Sequence, residues 1–181
     1  ITMNIEDKTI ARYVREKPET GFRLLMQKYK QPVYWHIRRL VVAHADAQDA
    51  TQETFIKIFR SFDQCRDATA LRSWIFRIAN NEAFRLIGSR RELSVSLEES
   101  GNGADRIASD GYIDYNDLEA VRLQRAIQTL PPKQRSAFCL RYYDDLRYEE
   151  IADSIGSTPS AVKSNYHIAK ERIIKYMNAN D

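Results

Sequence analysis

The chain has few of the residues that build disulfide frameworks, metal sites or membrane spans. Its two cysteines, Cys65 and Cys139, are far apart and outside any C-x-x-C spacing, which excludes a disulfide framework and the common zinc patterns. The three histidines lie on separate segments. No apolar run approaches the roughly 20 residues of a membrane-spanning helix, and the N-terminus lacks the apolar core of a signal peptide. We therefore expect a cytosolic protein without a metal or other cofactor.

Glycine is also scarce, and half of it lies in one segment, residues 93–116. Three of the six glycines are there: Gly101, Gly103 and Gly111. This segment shows neither the two-residue period of a strand nor the 3.6-residue period of a helix. It is predicted to be a flexible linker between two small domains, residues 1–92 and 117–181.

The net charge of +3 hides an uneven distribution along the chain. Residues 93–119 contain seven acids and one base, a net charge of −6, so the remaining residues carry +9. Two basic bodies joined by an acidic connector are typical of a protein that binds a polyanion. The alternative is a connector whose acids serve only solubility, and charge alone does not separate the two.

Hydrophobic periodicity predicts helices on both sides of the linker, and no segment alternates convincingly as a strand. An apolar stripe beginning at Phe22 predicts a helix that Pro32 should kink or break, because proline lacks an N–H and crowds the preceding turn. The next helix should begin near Asp46 as its cap. The predicted helices that follow the first one span about 46–62, 68–91, 116–130 and 132–142. The predicted fold class is all-α, with two small helical domains.

Residues 148–170 have the spacing of a helix-turn-helix. Ala152 is small where two helices would cross, Gly156 accepts the positive φ of a tight turn, and Val162 can anchor the second helix. A helix-turn-helix domain is therefore predicted at the C-terminus. The alternative is a helical hairpin that serves only packing.

The second helix of this motif is predicted to present a polar face. It should begin at Ser157 or Thr158 as its cap, with Pro159 in its first turn. Outward side chains on such a helix can contact phosphates and base edges in a major groove. The candidate DNA-contacting residues are Thr158, Ser160, Lys163, Ser164, Asn165 and His167.

The helix predicted over 68–91 carries a second candidate nucleic-acid surface. Cations, an amide and an aromatic residue recur there at helical spacing, and aromatics stack on unpaired bases while cations follow phosphates. The alternative is a solvated basic face with Trp74 in the core. A nucleic-acid surface on each domain makes binding the better interpretation of both. The candidate residues, with one from the preceding loop, are Arg66, Trp74, Arg77, Asn81, Phe84 and Arg85.

Three stretches in order resemble the extracytoplasmic-function (ECF) class of bacterial RNA polymerase sigma factors, within the sigma-70 family. DAQDATQETF at 46–55 matches the family's D-A-x-D-x-x-Q-E-x-F. WIFRIANNEA at 74–83 matches W-x-x-x-I-A-x-N. The stretch 130–173 matches the family's C-terminal helix-turn-helix domain.

The resemblance implies an alternative sigma factor that directs core RNA polymerase to promoters. In the family, the first motif docks on the clamp helices of the largest polymerase subunit. This implies a polymerase-binding role for Asp46, Asp49, Gln52, Glu53 and Phe55. The resemblance also implies an anti-sigma factor, which can be membrane-bound, that sequesters the two domains. Insertion of this chain itself into a membrane is not expected.

The other two motifs imply the promoter contacts. In the family, the second motif and the loop before it, here 63–72, recognise the minus-ten element and hold a flipped base, which carries over to Asn81. The helix-turn-helix recognises the minus-thirty-five element as duplex. The residues that match the family's contact positions there are Lys163, Ser164 and His167.

Three positions depart from the family's pattern. Cys65 lies where relatives can have an aromatic, Arg85 lies where an acid or amide is frequent, and Asn165 lies where arginine is common. The promoter sequence therefore does not transfer from relatives.

Two other classes of function fit the sequence less well. A stand-alone helix-turn-helix regulator would bind duplex DNA without polymerase, but it would have no use for the DAQDATQETF motif. An enzyme is not expected, because the sequence shows no convergent acid–base pair, phosphate-binding loop or metal cluster.

Overall fold

The computed structural model describes residues 4–96 and 117–179, with side chains described up to Ser89 in the first range. In these ranges the chain is helical and has no strand, which confirms the all-α class. The part of the predicted linker beyond Ser96 lies outside the described residues. The helices are α1 (Asp7–Glu16), α2 (Pro18–Val41), α3 (His44–Arg60), α4 (Leu71–Ser96), α5 (Leu118–Gln128), α6 (Pro132–Tyr142), α7 (Tyr148–Ile155) and α8 (Pro159–Ala179).

Helix α2 continues through Pro32, so the predicted break there is wrong. Proline removes one backbone hydrogen bond, but tertiary packing on both sides of it keeps the helix intact. Leu25 and Tyr29 before the proline and Val33 and Ile37 after it are all buried in the same core. The burial of one continuous apolar stripe outweighs the local preference of a single residue.

Two other helix boundaries differ from the predictions. Helix α3 begins at His44 with Ala43 as its N-cap, and Asp46 lies in its first turn, where a carboxylate favours the helix dipole. Helix α4 runs to Ser96, past the predicted end at Arg91 and into the first residues of the predicted linker.

The short helix α1, which the sequence patterns above did not predict, packs closely on α2. Lys28 and Tyr29 of α2 both donate hydrogen bonds to the carboxylate of Asp7, at 2.7 and 2.8 Å. At the crossing, a Cβ on Gly21 would lie 2.2 Å from the backbone nitrogen of Val14. The two helices can approach this closely only because that position has no side chain.

The two predicted domains pack directly on each other, with α4 and α7 in extensive contact. Buried residues of the C-terminal half, among them Leu140, Ile151 and Val162, belong to the same apolar cluster as the core of α1–α4. A bidentate ion pair crosses the interface, in which Arg72 donates from Nε at 3.1 Å and from Nη2 at 2.5 Å to the carboxylate of Glu150. The described parts of the two domains therefore share one continuous core.

A buried polar cluster lies at the centre of this interface. Asn80 of α4 accepts a hydrogen bond at 2.8 Å from the hydroxyl of Ser136 on α6. The same amide oxygen is 2.7 Å from Nε2 of His36 on α2. The other ring nitrogen of His36 faces Asp144 at 3.9 Å, and Arg39 lies 4.0 Å from the same carboxylate.

Burial shifts the two titratable groups of this cluster in opposite directions. It lowers the pKa of His36 from 6.5 to about 4, although the hydrogen bond with Asn80 acts the other way. It raises the pKa of Asp144 from 3.8 to about 6, although Arg39 acts the other way. Both shifts favour the neutral form, as expected for ionisable groups removed from water.

The close approach of α1 and α2 predicts opposite effects of two glycine substitutions. Gly21→Ala should lower the free energy of unfolding by about 1–3 kcal/mol, because the new methyl group collides with backbone atoms. Gly88→Ala, on α4 with no atom near its Cβ position, should raise it by about 0.5–1 kcal/mol through the better helix propensity of alanine. Urea denaturation of both variants measures the difference. Equal effects of the two changes would show that α1 does not pack on α2 in this way.

The polar cluster predicts a balanced pH dependence. The contribution of His36 to the free energy of unfolding falls as pH falls from 6.5 towards 4, because His36 then binds a proton in the unfolded state but not in the folded state. The contribution of Asp144 to the free energy of unfolding falls as pH rises from 3.8 towards 6, because Asp144 then keeps its proton in the folded state and loses it in the unfolded state. The two slopes therefore oppose each other between about pH 4 and 6 in the wild type.

Removing one of the two groups should reveal how the other makes the free energy of unfolding depend on pH. Relative to wild type, Asp144→Asn should become less stable on acidification from pH 6 to 4, by up to about 1.4 kcal/mol per pH unit. His36→Gln should become more stable over the same range. Urea denaturation at pH 4, 5 and 6 gives both slopes. Parallel curves for wild type and both variants would mean that neither group is shifted by the interface.

Candidate partner and nucleic-acid surfaces

The exposed side of α3 carries most of the residues that the first motif assigns to polymerase binding. Asp49, Gln52 and Glu53 are exposed, and Asp46 is half-buried. Phe55, one turn after Gln52, is 4% exposed and lies within the core. The structure thus brings together three polar side chains on one face and places Phe55 beneath them as packing.

A groove of about 840 Å³ runs beside these residues, between α2 and α3. Its aromatic lining includes Trp35 and Phe59, which are 38% and 40% exposed although both are large and apolar. Asp49 and Gln52 line its α3 side. An exposed apolar groove with a polar rim is the usual form of a protein-binding surface.

A second cavity, of about 390 Å³, lies where α3, the loop after it and α4 meet. Its volume is within the roughly 300–1,000 Å³ that is usual for small-ligand sites. The lining combines cations, amides and one aromatic ring: Lys57, Ser61, Gln64, Arg66, Trp74, Arg77, Ile78 and Asn81. Four of the six residues predicted for the minus-ten element therefore meet in one place.

The C-terminal domain reaches the edge of this cavity. An adjoining cleft of about 220 Å³ shares Arg66, Trp74 and Arg77 with it. The cleft is closed on its other side by Asp153 of α7. The domain packing thus places an acidic side chain of the helix-turn-helix domain next to the basic lining of the cavity.

The remaining two minus-ten candidates lie outside the lining of the cavity. Phe84 is half-buried and packs against the core. Arg85 is exposed, but its guanidinium binds the carboxylate of Glu82 on the same helix, at 3.1 and 3.3 Å. Conversely, Lys57 lines the cavity and was not predicted. Its position on α3 follows from the α3–α4 packing, which no local pattern contains.

The loop between α3 and α4 is held by its own side chains. Asp67 accepts hydrogen bonds from the hydroxyl of Thr69 and from the backbone N–H groups of Thr69 and Ala70, the last two at 2.7 and 3.1 Å, and these bonds lower the pKa of its carboxyl. Cys65 points inward, 6% exposed, and its thiol donates to the carbonyl of Asp67 at 3.4 Å. The cysteine that departs from the family's pattern is therefore part of the loop's support. The ring of Trp74 lies beside this loop, half-buried and held edge-to-face on Phe62 at 5.8 Å.

Helices α7 and α8 have the geometry that the spacing predicted. Gly156 lies in the turn with a φ of +66°, a conformation that glycine adopts without strain. Ala152 and Val162 are buried. The hydroxyl of Thr158 accepts a hydrogen bond from the N–H of Ala161 at 3.2 Å, which makes it the cap of α8.

The outward face of α8 contains most of the minus-thirty-five candidates. Lys163, Ser164 and His167 are exposed side by side, and Ser160 is exposed one turn earlier. Asn165 is half-buried, and Thr158 is exposed but already engaged in the cap. The helix therefore presents a short polar and basic strip of the kind that enters a major groove.

The described ranges contain neither a membrane-spanning helix nor a metal-binding cluster. None of the helices described is long and apolar enough to cross a membrane. No group of three or more acidic, histidine or cysteine side chains within residues 4–89 and 117–179 has the arrangement of a metal site.

Comparison with known proteins gives matches over both domains. Residues 25–92 match the family Sigma-70 region 2, and residues 120–173 match Sigma-70, region 4. The chain is 30% identical to the ECF RNA polymerase sigma-E factors of Salmonella typhimurium and Escherichia coli (strain K12), with 93% of each chain covered. It is 29% identical to the RNA polymerase sigma-H factor of Pseudomonas aeruginosa, over 94% of this chain and 93% of that protein.

Two solved structures have a similar fold. The first is the sigma factor RpoE in complex with the anti-sigma factor NepR from Bartonella quintana, with a TM-score of 0.72, 21% identity, and 88% of this chain and 98% of that chain covered. The second is CnrH in complex with the cytosolic domain of CnrY, with a TM-score of 0.73, 18% identity, and 98% and 100% covered.

Fold, surfaces and relatives together define a DNA-binding transcription initiation factor of two helical regions. The chain belongs to the extracytoplasmic-function sigma factors of the sigma-70 family. It is an alternative sigma factor that directs transcription initiation, a non-catalytic role in this family. The region 2 match decides against a stand-alone helix-turn-helix regulator, which would not need that region.

Proposed function

We propose that the chain binds core RNA polymerase in the cytoplasm through region 2 (residues 1–92) and recognises promoter DNA with both regions, without any enzymatic activity of its own. Residues 117–181 form region 4, and residues 93–116 are the connector. The observation that supports this most directly is the cavity between α3 and α4, where Asn81 lies among cations beside the ring of Trp74.

The cavity can hold an unpaired base of the minus-ten element. Trp74 offers a ring edge or face, Asn81 an amide that both donates and accepts, and Arg77 a cation for the adjacent phosphate. Unpairing a base costs a few kcal/mol, which contacts of this kind can offset without ATP. The polar strip of α8 would contact the minus-thirty-five element as duplex, with Lys163, Ser164 and His167 towards the major groove.

Polymerase binding is assigned to the exposed face of α3 with the neighbouring groove. Asp49 and Glu53 are one turn apart and exposed, so they can meet a basic helical surface such as the clamp helices. An anti-sigma factor is a further partner, since one of the two similar structures above is a sigma factor in complex with the anti-sigma factor NepR. Such a partner would hold the chain away from polymerase until a signal releases it.

The polymerase assignment predicts the effect of charge reversal on α3. Asp49→Lys with Glu53→Lys should weaken assembly with core polymerase at least tenfold, while the fold stays intact because exposed substitutions usually change stability by less than about 0.5 kcal/mol. Glu16→Lys with Glu19→Lys, two exposed acids of α1 and α2, makes the same change in net charge and should assemble normally. Competition binding to core polymerase measures both. Equal affinities of the two double variants would place the polymerase contact elsewhere.

The base-binding role predicts a specific defect for Asn81→Ala. The variant should still bind core polymerase and duplex upstream DNA but should form the open complex about ten- to a hundredfold more slowly. A lost hydrogen bond with an unsatisfied partner costs about 1–3 kcal/mol, and here it appears in the barrier to opening. Permanganate reactivity of promoter thymines, on a promoter recovered by run-off transcription from a library, reports opening.

A pre-melted template is the control for this prediction. On a promoter with a mismatched bubble over the minus-ten element, unpairing is supplied in advance, so the variant should recover part of its activity. Opening of the duplex promoter at the wild-type rate would show that the amide of Asn81 has no contact with the extruded base.

A further inference from the structure

A buried carboxylate lies directly beside the 390 Å³ cavity between α3 and α4, called the base cavity below. Glu82 follows the exposed Asn81 on α4, but its own side chain is turned towards α3 and is 2% exposed. None of the family motifs quoted above assigns a function to this position. A charged group this deeply buried requires partners of opposite charge, since an unpaired buried charge is strongly destabilising.

Each oxygen of Glu82 has its own cation. Oε1 accepts a short hydrogen bond from the ammonium of Lys57 on α3. Oε2 accepts from Nε and Nη2 of Arg85, at 3.3 and 3.1 Å, one turn further along α4. Burial raises the pKa of Glu82, but the hydrogen bonds and charges of Lys57 and Arg85 outweigh it and hold the pKa below its usual value. The carboxylate is therefore ionised and engaged on both sides.

The two cations differ in where they lie. Lys57 lines the cavity together with Asn81 and Trp74, whereas Arg85 does not line it. A lysine ammonium has three N–H donors, so Lys57 can bind Glu82 and still direct a donor into the cavity. A free lysine side chain samples many rotamers, and the bond to Glu82 removes that freedom.

Resting on the proposed function, we propose that Glu82 is a positioning residue for the base cavity. Its carboxylate fixes the Lys57 ammonium at the cavity wall, as a donor to an acceptor atom of the unpaired base. The same carboxylate holds Arg85 through two of its N–H groups, which keeps that guanidinium from competing for the DNA backbone. The arrangement also explains the arginine at position 85, because its charge has a partner within the protein. Lys57 is a donor only, and each base carries its acceptor atoms at different positions on its edge, so a fixed ammonium favours the base whose acceptor lies within its reach.

The test uses the full chain assembled with core polymerase and single-stranded DNA. A random-sequence library is first selected with the wild type, and the affinity ratio between a selected oligonucleotide and its scrambled version defines selectivity. Glu82→Gln should lower selectivity about fivefold, the effect of losing one well-oriented hydrogen bond. It should also raise the affinity for the scrambled strand and steepen its salt dependence by about 0.7, the value for one additional phosphate contact in single-stranded DNA.

Four more variants separate position from charge. Glu82→Asp keeps the charge but shortens the reach, so it should lose selectivity with no change in salt dependence. Lys57→Met should lose selectivity to the same extent, and adding Glu82→Gln to it should cause no further loss, since two residues that act through one contact are not additive. Glu16→Gln, a distant exposed acid on α1, makes the same charge change as Glu82→Gln and should leave selectivity unaltered.

The outcomes distinguish this proposal from the one it rests on. A wild-type complex that selects no sequence from the library overturns the proposed base recognition itself. If the wild type is selective and Lys57→Met loses selectivity while folded Glu82→Gln and Glu82→Asp retain it, Glu82 only joins α3 to α4. If Lys57→Met weakens selected and scrambled strands equally, the lysine contacts phosphate and the proposal is wrong. Thermal unfolding of each variant identifies any that fail to fold, and if Glu82→Gln fails, Glu82→Asp, which keeps the charge between Lys57 and Arg85, decides in its place.

Discussion

The packing of α4 between α3 and α7 is the constraint on which every candidate surface depends. One side of α4 completes the core of α1–α3, a second contacts the helix-turn-helix domain, and a third remains open as a wall of the base cavity. A helix shared in this way cannot shift for one partner without disturbing the others. The geometry of the cavity is therefore set by the packing of both domains, although its lining comes from the first alone.

The core that the two domains share includes polar groups beside its apolar contacts. At its centre are hydrogen-bonded amide, hydroxyl and imidazole groups around Asn80, and at its edge is the ion pair of Arg72 with Glu150. Polar groups of this kind can exchange protein partners for water at small net cost, because the net gain of a protein hydrogen bond is only about 1 kcal/mol. Separation of the domains thus costs mainly the apolar contacts of the shared core, and it is chemically compatible with the proposal that the two regions bind separate DNA elements.

The sequence predicted the helices and the helix-turn-helix because those depend on local chemistry. Gly156 and the Thr158 cap act within one turn of the chain, so their spacing is sufficient evidence. Pro32 was misjudged because packing on both sides of it is a tertiary effect, and α1 was missed although Ile10 and Val14 have helical spacing. The contacts of Lys57 were not predictable, since they require the positions of two helices that no single stretch of sequence contains.

Residues 80, 81 and 82 show why residue type alone could not assign the site. Successive side chains on a helix point about 100° apart, so three neighbours face three directions. Asn80 faces the second domain, Asn81 the open cavity and Glu82 the helix α3. The two asparagines are chemically identical, yet one is a buried interface group and the other is available to a base. Their functions are determined by the rotation of α4, which the packing of its two neighbours fixes.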